Sequence, residues 1–104
     1  MSFHEGVRAL IQKFAEDGKF LAAICAAPTI LSNMGLLKGK RVTCYPAMEA
    51  EMQGAVLTAA PVTVDGNFIT SQGVGTAIDF ALQLIQVLEG GRKAEEIAQS
   101  VVYR

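Results

Sequence analysis

A single histidine, His4, stands in the 104 residues, in the first turn of what reads as an N-terminal helix. A solvated helix-start position is its simplest reading, and that leaves no histidine to activate a nucleophile in the usual way. Two cysteines, Cys25 and Cys44, are too far apart for a C-x-x-C motif and too few for a disulfide scaffold. No Cys/His cluster has metal-ligand spacing, so the sequence calls for no metal and no cofactor. A formal net charge of -1 gives no basic surplus to attract nucleic acid or an anionic membrane. The N-terminus lacks the basic and apolar regions of a signal peptide. No apolar run approaches the roughly 18–20 residues of a membrane span. A cytoplasmic, reduced setting is the resulting expectation.

What is present is ordinary for a globular chain: 51% hydrophobic and 18% charged residues. At this length there is one domain at most, able to bury roughly 60–70% of its chain surface. Ser2 and Glu5 form a capping-box pair, Val7, Leu10, Ile11 and Phe14 repeat at helical spacing, and Gly18 closes the run. Phe20–Ile24 reads as a buried strand, with a helix from about Ala26 to Met34 after it. A second strand is expected at Arg41–Cys44, then a short polar helix from Pro46 to about Gln53 whose wet face carries Glu49 and Glu51. Val62-Thr-Val and Phe68-Ile-Thr flank Asp65-Gly66-Asn67, a hairpin signal. A helix from Thr76 to Leu88 follows, with Thr76 and Asp79 as a second cap pair. It is apolar around most of its circumference, so it is expected to be widely buried or to pack on a second chain. A last helix runs over Lys93–Ser100. This order predicts an α/β fold, a parallel sheet with a β-hairpin insertion. Phe20–Ile24, Arg41–Cys44 and Phe68–Thr70 serve as its central strands. A mean sheet has about five or six strands, so the chain reads as part of a doubly wound domain whose opening βα units are absent.

The most informative stretch is Phe20-Leu-Ala-Ala-Ile-Cys25-Ala-Ala-Pro-Thr29, where a strand former run ends on a cysteine and a helix starts at once. That is the layout of a nucleophile elbow with Cys in place of Ser. Ala23 and Ala27 are small enough for close packing at the bend, and Pro28 suits a first helical turn. A thiol at a helix N-terminus is near free N–H groups and the positive dipole end, which favour thiolate. The same pattern also describes a small buried cysteine in a strand-to-helix crossover. Ligands in an open α/β sheet bind beyond the carboxyl ends of the strands. Three segments reach that edge: Cys25, Cys44-Tyr45-Pro46 and Ser71-Gln-Gly73-Val-Gly75-Thr76. The glycine loop is suited either to presenting N–H groups to an anion or carbonyl oxygen, or to a tight turn with φ > 0. Tyr45 is placed to donate a hydrogen bond there, or simply to pack.

Ala-Ala-Ile-Cys25-Ala-Ala-Pro-Thr, Lys40-Arg-Val-Thr-Cys-Tyr-Pro46 and Phe68-Ile-Thr-Ser-Gln-Gly-Val-Gly-Thr-Ala-Ile-Asp-Phe-Ala81 together resemble the ThiJ/PfpI superfamily. The likeness is greatest to its ThiJ branch, which includes the Parkinson-disease protein deglycase and proteins labelled thiazole monophosphate biosynthesis. It runs from about Gly6 to Ala98. The resemblance implies a flavodoxin-like fold, dimerisation, and glyoxalase or deglycase chemistry on methylglyoxal-type aldehydes, with chaperone activity and cysteine oxidation also associated. It implies that Cys25 is the reactive cysteine, that the Ala26 N–H forms part of an oxyanion site, and that Gly73, Val74 and Gly75 wall the pocket. PfpI-type members place His after the nucleophile, where Ala26 stands here; the deglycase branch often has His where this chain has Tyr45. The family's glutamate partner of the cysteine comes from an early loop, and this chain begins after it. Residues 1–104 thus resemble the C-terminal portion of a single family domain.

Three functions compete. Cys25 thiolate adds to a small reactive carbonyl or glycated adduct; or Cys25 is an oxidation switch of a sensor or chaperone; or the chain is an inactive fragment that self-associates through an open sheet edge. The expected partners are a small carbonyl substrate and either a second copy of the chain or the missing N-terminal half. A glutamine amidotransferase needs a histidine downstream of its cysteine, and none exists.

Overall fold

The computed structural model describes residues 3–101 and 103, and of residues 3 and 4 the backbone only. The cap expected of Ser2 and the side chain of His4 therefore lie outside the described residues. Helix α1 (Phe3–Glu16) forms where the apolar spacing predicts it. It ends as Gly18 takes φ 71°, with the Lys19 N–H returning to the Phe14 carbonyl at 2.9 Å. Strand β1 (Leu21–Ile24) follows, then helix α2 (Pro28–Asn33). Helix α2 is shorter than expected because Cys25-Ala26-Ala27 are used in a turn, closed by the Ala27 N–H on the Ile24 carbonyl at 3.2 Å.

β4 (Val62–Asp65) and β5 (Phe68–Ser71) form the expected hairpin, paired antiparallel with Asp65 opposite Phe68. The two-residue turn has Gly66 at φ 60° and no positive φ at Asn67, a type II′ arrangement matched to strand twist. β5 also pairs parallel with β1, Leu21 opposite Phe68 through Ile24 opposite Ser71. The sheet order is β1-β5-β4, and β5 is buried along its length because it has a strand on each side.

The expected central strand at Arg41–Cys44 is a correction. Only β2 (Arg41–Val42) is strand, and it pairs parallel with β3 (Val56–Leu57) in a separate two-stranded ribbon. Side chains of the main sheet take up the N–H groups that a strand neighbour would have used. The Arg41 N–H donates to the Asp65 carboxylate at 2.8 Å, and the buried Thr43 N–H donates to Thr70 Oγ1 at 2.9 Å. A 3-10 helix over Pro46–Glu51 stands where the short polar helix was expected, with Glu49 and Glu51 exposed.

The core lies between the sheet, α1 and α2: Ala23, Leu31, Val42, Cys44, Met52 and Phe68 are buried, with Ile11 and Ala15 of α1 against them. Helices α3 (Ala77–Glu89) and α4 (Gly91–Ser100) pack on each other. The expected Thr76–Asp79 cap does not form. Thr76 turns its hydroxyl back to the preceding loop, and the Asp79 carboxylate accepts the Tyr103 hydroxyl. No α3 side chain is fully buried, and an apolar groove of about 400 Å³ runs between Ile78, Ala81, Ile85 and Ile97.

Candidate functional site

Cys25 has φ 66°, the only non-glycine residue in the left-handed region among those described. An L-residue pays about 1–2 kcal/mol for that conformation, and such outliers cluster at functional positions. Two hydrogen bonds hold it there. Its N–H donates to the Ser71 carbonyl at the end of β5 (3.2 Å), and its carbonyl accepts the Tyr45 N–H (2.8 Å). The three segments expected at the sheet edge therefore meet at this one residue.

Ala26 follows. Its carbonyl accepts both the N–H (3.0 Å) and the hydroxyl (2.6 Å) of Thr29, while its own N–H has no backbone partner among the described residues. Helix α2 is only six residues long and begins on Pro28, which has no N–H. The helix dipole expected to favour thiolate is correspondingly small, and Ala26 is left as the local donor.

The glycine loop is not the tight turn with φ > 0, and two of its N–H groups turn inward. Gly73 has φ 172°, extended backbone open to any residue, and Gly75 is not in the left-handed region either. The N–H groups of Gln72 (3.2 Å) and Gly73 (3.0 Å) donate inward to Thr76 Oγ1, which also lies 2.7 Å from the Ser71 hydroxyl. They are therefore not presented to a ligand. Gly73 instead meets Tyr45: a Cβ on Gly73 would stand 3.7 Å from Tyr45 Cδ1. Val74 and Gly75 continue from it as exposed residues. Ser71 and Thr76 organise this loop through hydroxyls, a role unread in the sequence although both residues border the segment singled out.

Cys44 is in the core, and its thiol donates to the Tyr45 carbonyl at 3.4 Å. Burial first, and the Glu49 carboxylate second, push its pKa above the ordinary value. Cys25 is half-buried. Among the described residues no group of three His, Cys, Asp or Glu could hold a metal, and no helix is long and apolar enough to cross a membrane.

Comparison with known proteins gives consistent matches. A sequence model of the DJ-1/PfpI family matches residues 1–87. The chain is similar to Protein dj-1beta of Drosophila melanogaster, 39% identical over 95 residues that make up 89% of this chain and 51% of that protein. The crystal structure of the same fly protein superposes with a TM-score of 0.88 at 38% identity, covering 92% of this chain and 53% of that one. A glutathione-independent glyoxalase of Caenorhabditis elegans is 34% identical over 90 residues, 85% of this chain and 48% of its own. A deglycase of Pyrococcus abyssi is 33% identical over 82 residues, 77% and 49% respectively. The chain thus spans about half the length of these relatives. The mixed sheet and its helices match the flavodoxin-like arrangement of the solved neighbours over that half.

Proposed function

The chain belongs to the DJ-1/PfpI family, and from that premise we propose that it is the C-terminal portion of a single catalytic domain using Cys25 on small reactive aldehydes or glycated adducts. The sulfur of Cys25 adds to the carbonyl carbon, the C=O pair moves to oxygen, and the thiol proton ends on that oxygen, giving a hemithioacetal. The Ala26 N–H stabilises the oxygen as charge develops. Tyr45 and the Gly73-Val74-Gly75 loop form the walls. The observation that carries this is the left-handed Cys25, held from both sides and followed by an N–H without a backbone partner. Relatives named as a glyoxalase and a deglycase support the substrate class. Methylglyoxal should slow alkylation of Cys25, and methylglyoxal consumption should vanish in Cys25→Ser. Consumption that persists in that variant, or alkylation indifferent to the aldehyde, would sink the proposal.

Two further uses have support of their own. The contrast between half-buried Cys25 and core Cys44 favours oxidation confined to Cys25, which peptide mass spectrometry after mild peroxide reads directly. Equal oxidation of both thiols argues against it. The free side of β1 supports pairing either with a second copy or with the N-terminal half of the domain. Leu21 and Cys25 give their N–H groups to the carbonyls of Asn67 and Ser71 on the β5 side, so Ala22 and Ile24 turn theirs to a side without a strand among the described residues.

A further inference from the structure

The left-handed conformation of Cys25 lies between two rigid peptide planes. A trans peptide unit is flat, so a hydrogen bond that pins its N–H or its C=O also orients the other group. The Ile24–Cys25 unit is pinned where the Cys25 N–H meets the Ser71 carbonyl (3.2 Å). The Cys25–Ala26 unit is pinned where the Cys25 carbonyl meets the Tyr45 N–H (2.8 Å). With both planes held, φ and ψ of Cys25 are set. So is the direction of the Ala26 N–H, which points opposite to the Cys25 carbonyl.

Both pins lead back to Thr76. Its hydroxyl oxygen accepts the N–H groups of Gln72 (3.2 Å) and Gly73 (3.0 Å), which occupies its two lone pairs. Its one proton has two acceptors in reach, the Ser71 hydroxyl at 2.7 Å and the Gly73 carbonyl at 3.0 Å. Ser71 donates its own proton to the Pro61 carbonyl at 2.6 Å. Were the Thr76 proton on Gly73, two oxygens 2.7 Å apart would therefore meet with no proton between them. The bonds thus run one way, from the loop N–H groups to Thr76, to Ser71, to the residue before β4. Ser71 is fully buried, and its carbonyl is the first pin of Cys25. Gly73, held by Thr76, neighbours the residue that supplies the second: a Cβ there would stand 3.7 Å from Tyr45 Cδ1. Every one of these bonds joins two described residues, so none of them depends on what else surrounds the thiol.

We infer that Thr76 is a positioning residue for Cys25, acting through Ser71 and Gly73 to hold the bend and aim the Ala26 N–H. Its bearing on aldehyde chemistry rests on the reading of Cys25 as the carbonyl nucleophile; the geometry does not.

Amide hydrogen exchange, followed residue by residue by NMR, tests the geometry. Thr76→Val keeps the shape and removes the shared oxygen. Exchange at the Cys25 and Tyr45 amides should quicken by about 10-fold or more, as local opening does when its bonds are lost. Leu21, whose N–H meets the Asn67 carbonyl at the far end of β1, should keep its rate. Thr76→Ser should restore both amides. Ser71→Ala removes the next hydroxyl but keeps the carbonyl, and should also quicken Cys25 selectively; it decides the matter if Thr76→Val does not fold. In Thr76→Val the methylglyoxal concentration that halves iodoacetamide labelling of Cys25 should rise about 2- to 10-fold, the worth of one hydrogen bond. Unchanged exchange at Cys25 and Tyr45, or a rise that Leu21 shares equally, overturns the inference. So does selective exchange with unchanged methylglyoxal protection. Wild-type Cys25 that methylglyoxal fails to protect overturns the nucleophile instead, and the exchange rates still decide whether Thr76 holds the bend.

Discussion

Cys25 places a thiol at the bend in a backbone conformation that favours glycine. Cys25→Gly should therefore be more stable than Cys25→Ala by roughly 1 kcal/mol in denaturant unfolding, because only glycine relieves the left-handed strain. Equal midpoints would mean the turn imposes no strain. Cys44 makes the opposite case, a thiol the fold keeps neutral. Burial and the Glu49 charge raise its folded pKa above 9.0, its ordinary value. Its contribution to stability is complete below that value and is lost as pH rises through the folded pKa, because the unfolded chain releases the proton first. Wild type should thus lose more stability than Cys44→Ala between neutral and strongly alkaline pH, read as the difference in denaturant midpoints. A constant difference across that range would overturn the assignment. Cys25 was legible as a strand-end thiol with small neighbours. The use of Thr76 as acceptor for its loop was not, because a hydroxyl's partner is chosen by where the chain folds back.

At the scale of elements, period and punctuation identified α1, β1, the β4–β5 hairpin, α3 and α4 to within a few residues. They overextended β2 and missed β3. Val56–Leu57 is too short to show any periodicity, and its pairing with Arg41–Val42 is decided by neighbours distant in sequence. The ribbon is held to the main sheet partly by the buried Thr43 N–H on Thr70 Oγ1. Thr70→Val keeps the shape and removes the acceptor, leaving a buried donor unpaired. The expected loss is about 1–3 kcal/mol, measured by thermal or denaturant unfolding. A neutral result would mean water replaces the hydroxyl. Since Tyr45 follows this segment and bonds Cys25, the same variant should loosen the elbow and change the alkylation rate at Cys25.

Across the whole molecule, the free side of β1 is bordered by apolar surface: Ile11, Ala22, Ala27 and Ile30 line a cavity of about 150 Å³. The groove between α3 and α4 is a second apolar surface of the same kind. Sedimentation should show association that grows with concentration, and Ala22→Lys should shift it toward monomer by charging the strand edge. A strictly monomeric wild type, or association untouched by Ala22→Lys, would rule out the β1 edge as the contact.

By itself the sequence determined the order of every main-sheet strand and α-helix, the α/β class, the bend at Cys25 and the three segments that meet there. Each depends on local pattern: apolar period, turn residues, small residues around one thiol. Tertiary structure alone decided that β1 lies at an edge of the described sheet, that β2 stands outside it, and that Asp79 holds Tyr103 instead of capping its helix. It also decided that the Gln72 and Gly73 N–H groups serve Thr76 and that Tyr45 lies between Cys25 and Gly73. The physical reason is the same in each case. A hydrogen-bond donor or a strand edge can be read from local sequence, but its partner comes from residues far along the chain, and only folding brings them within 3 Å or so of each other.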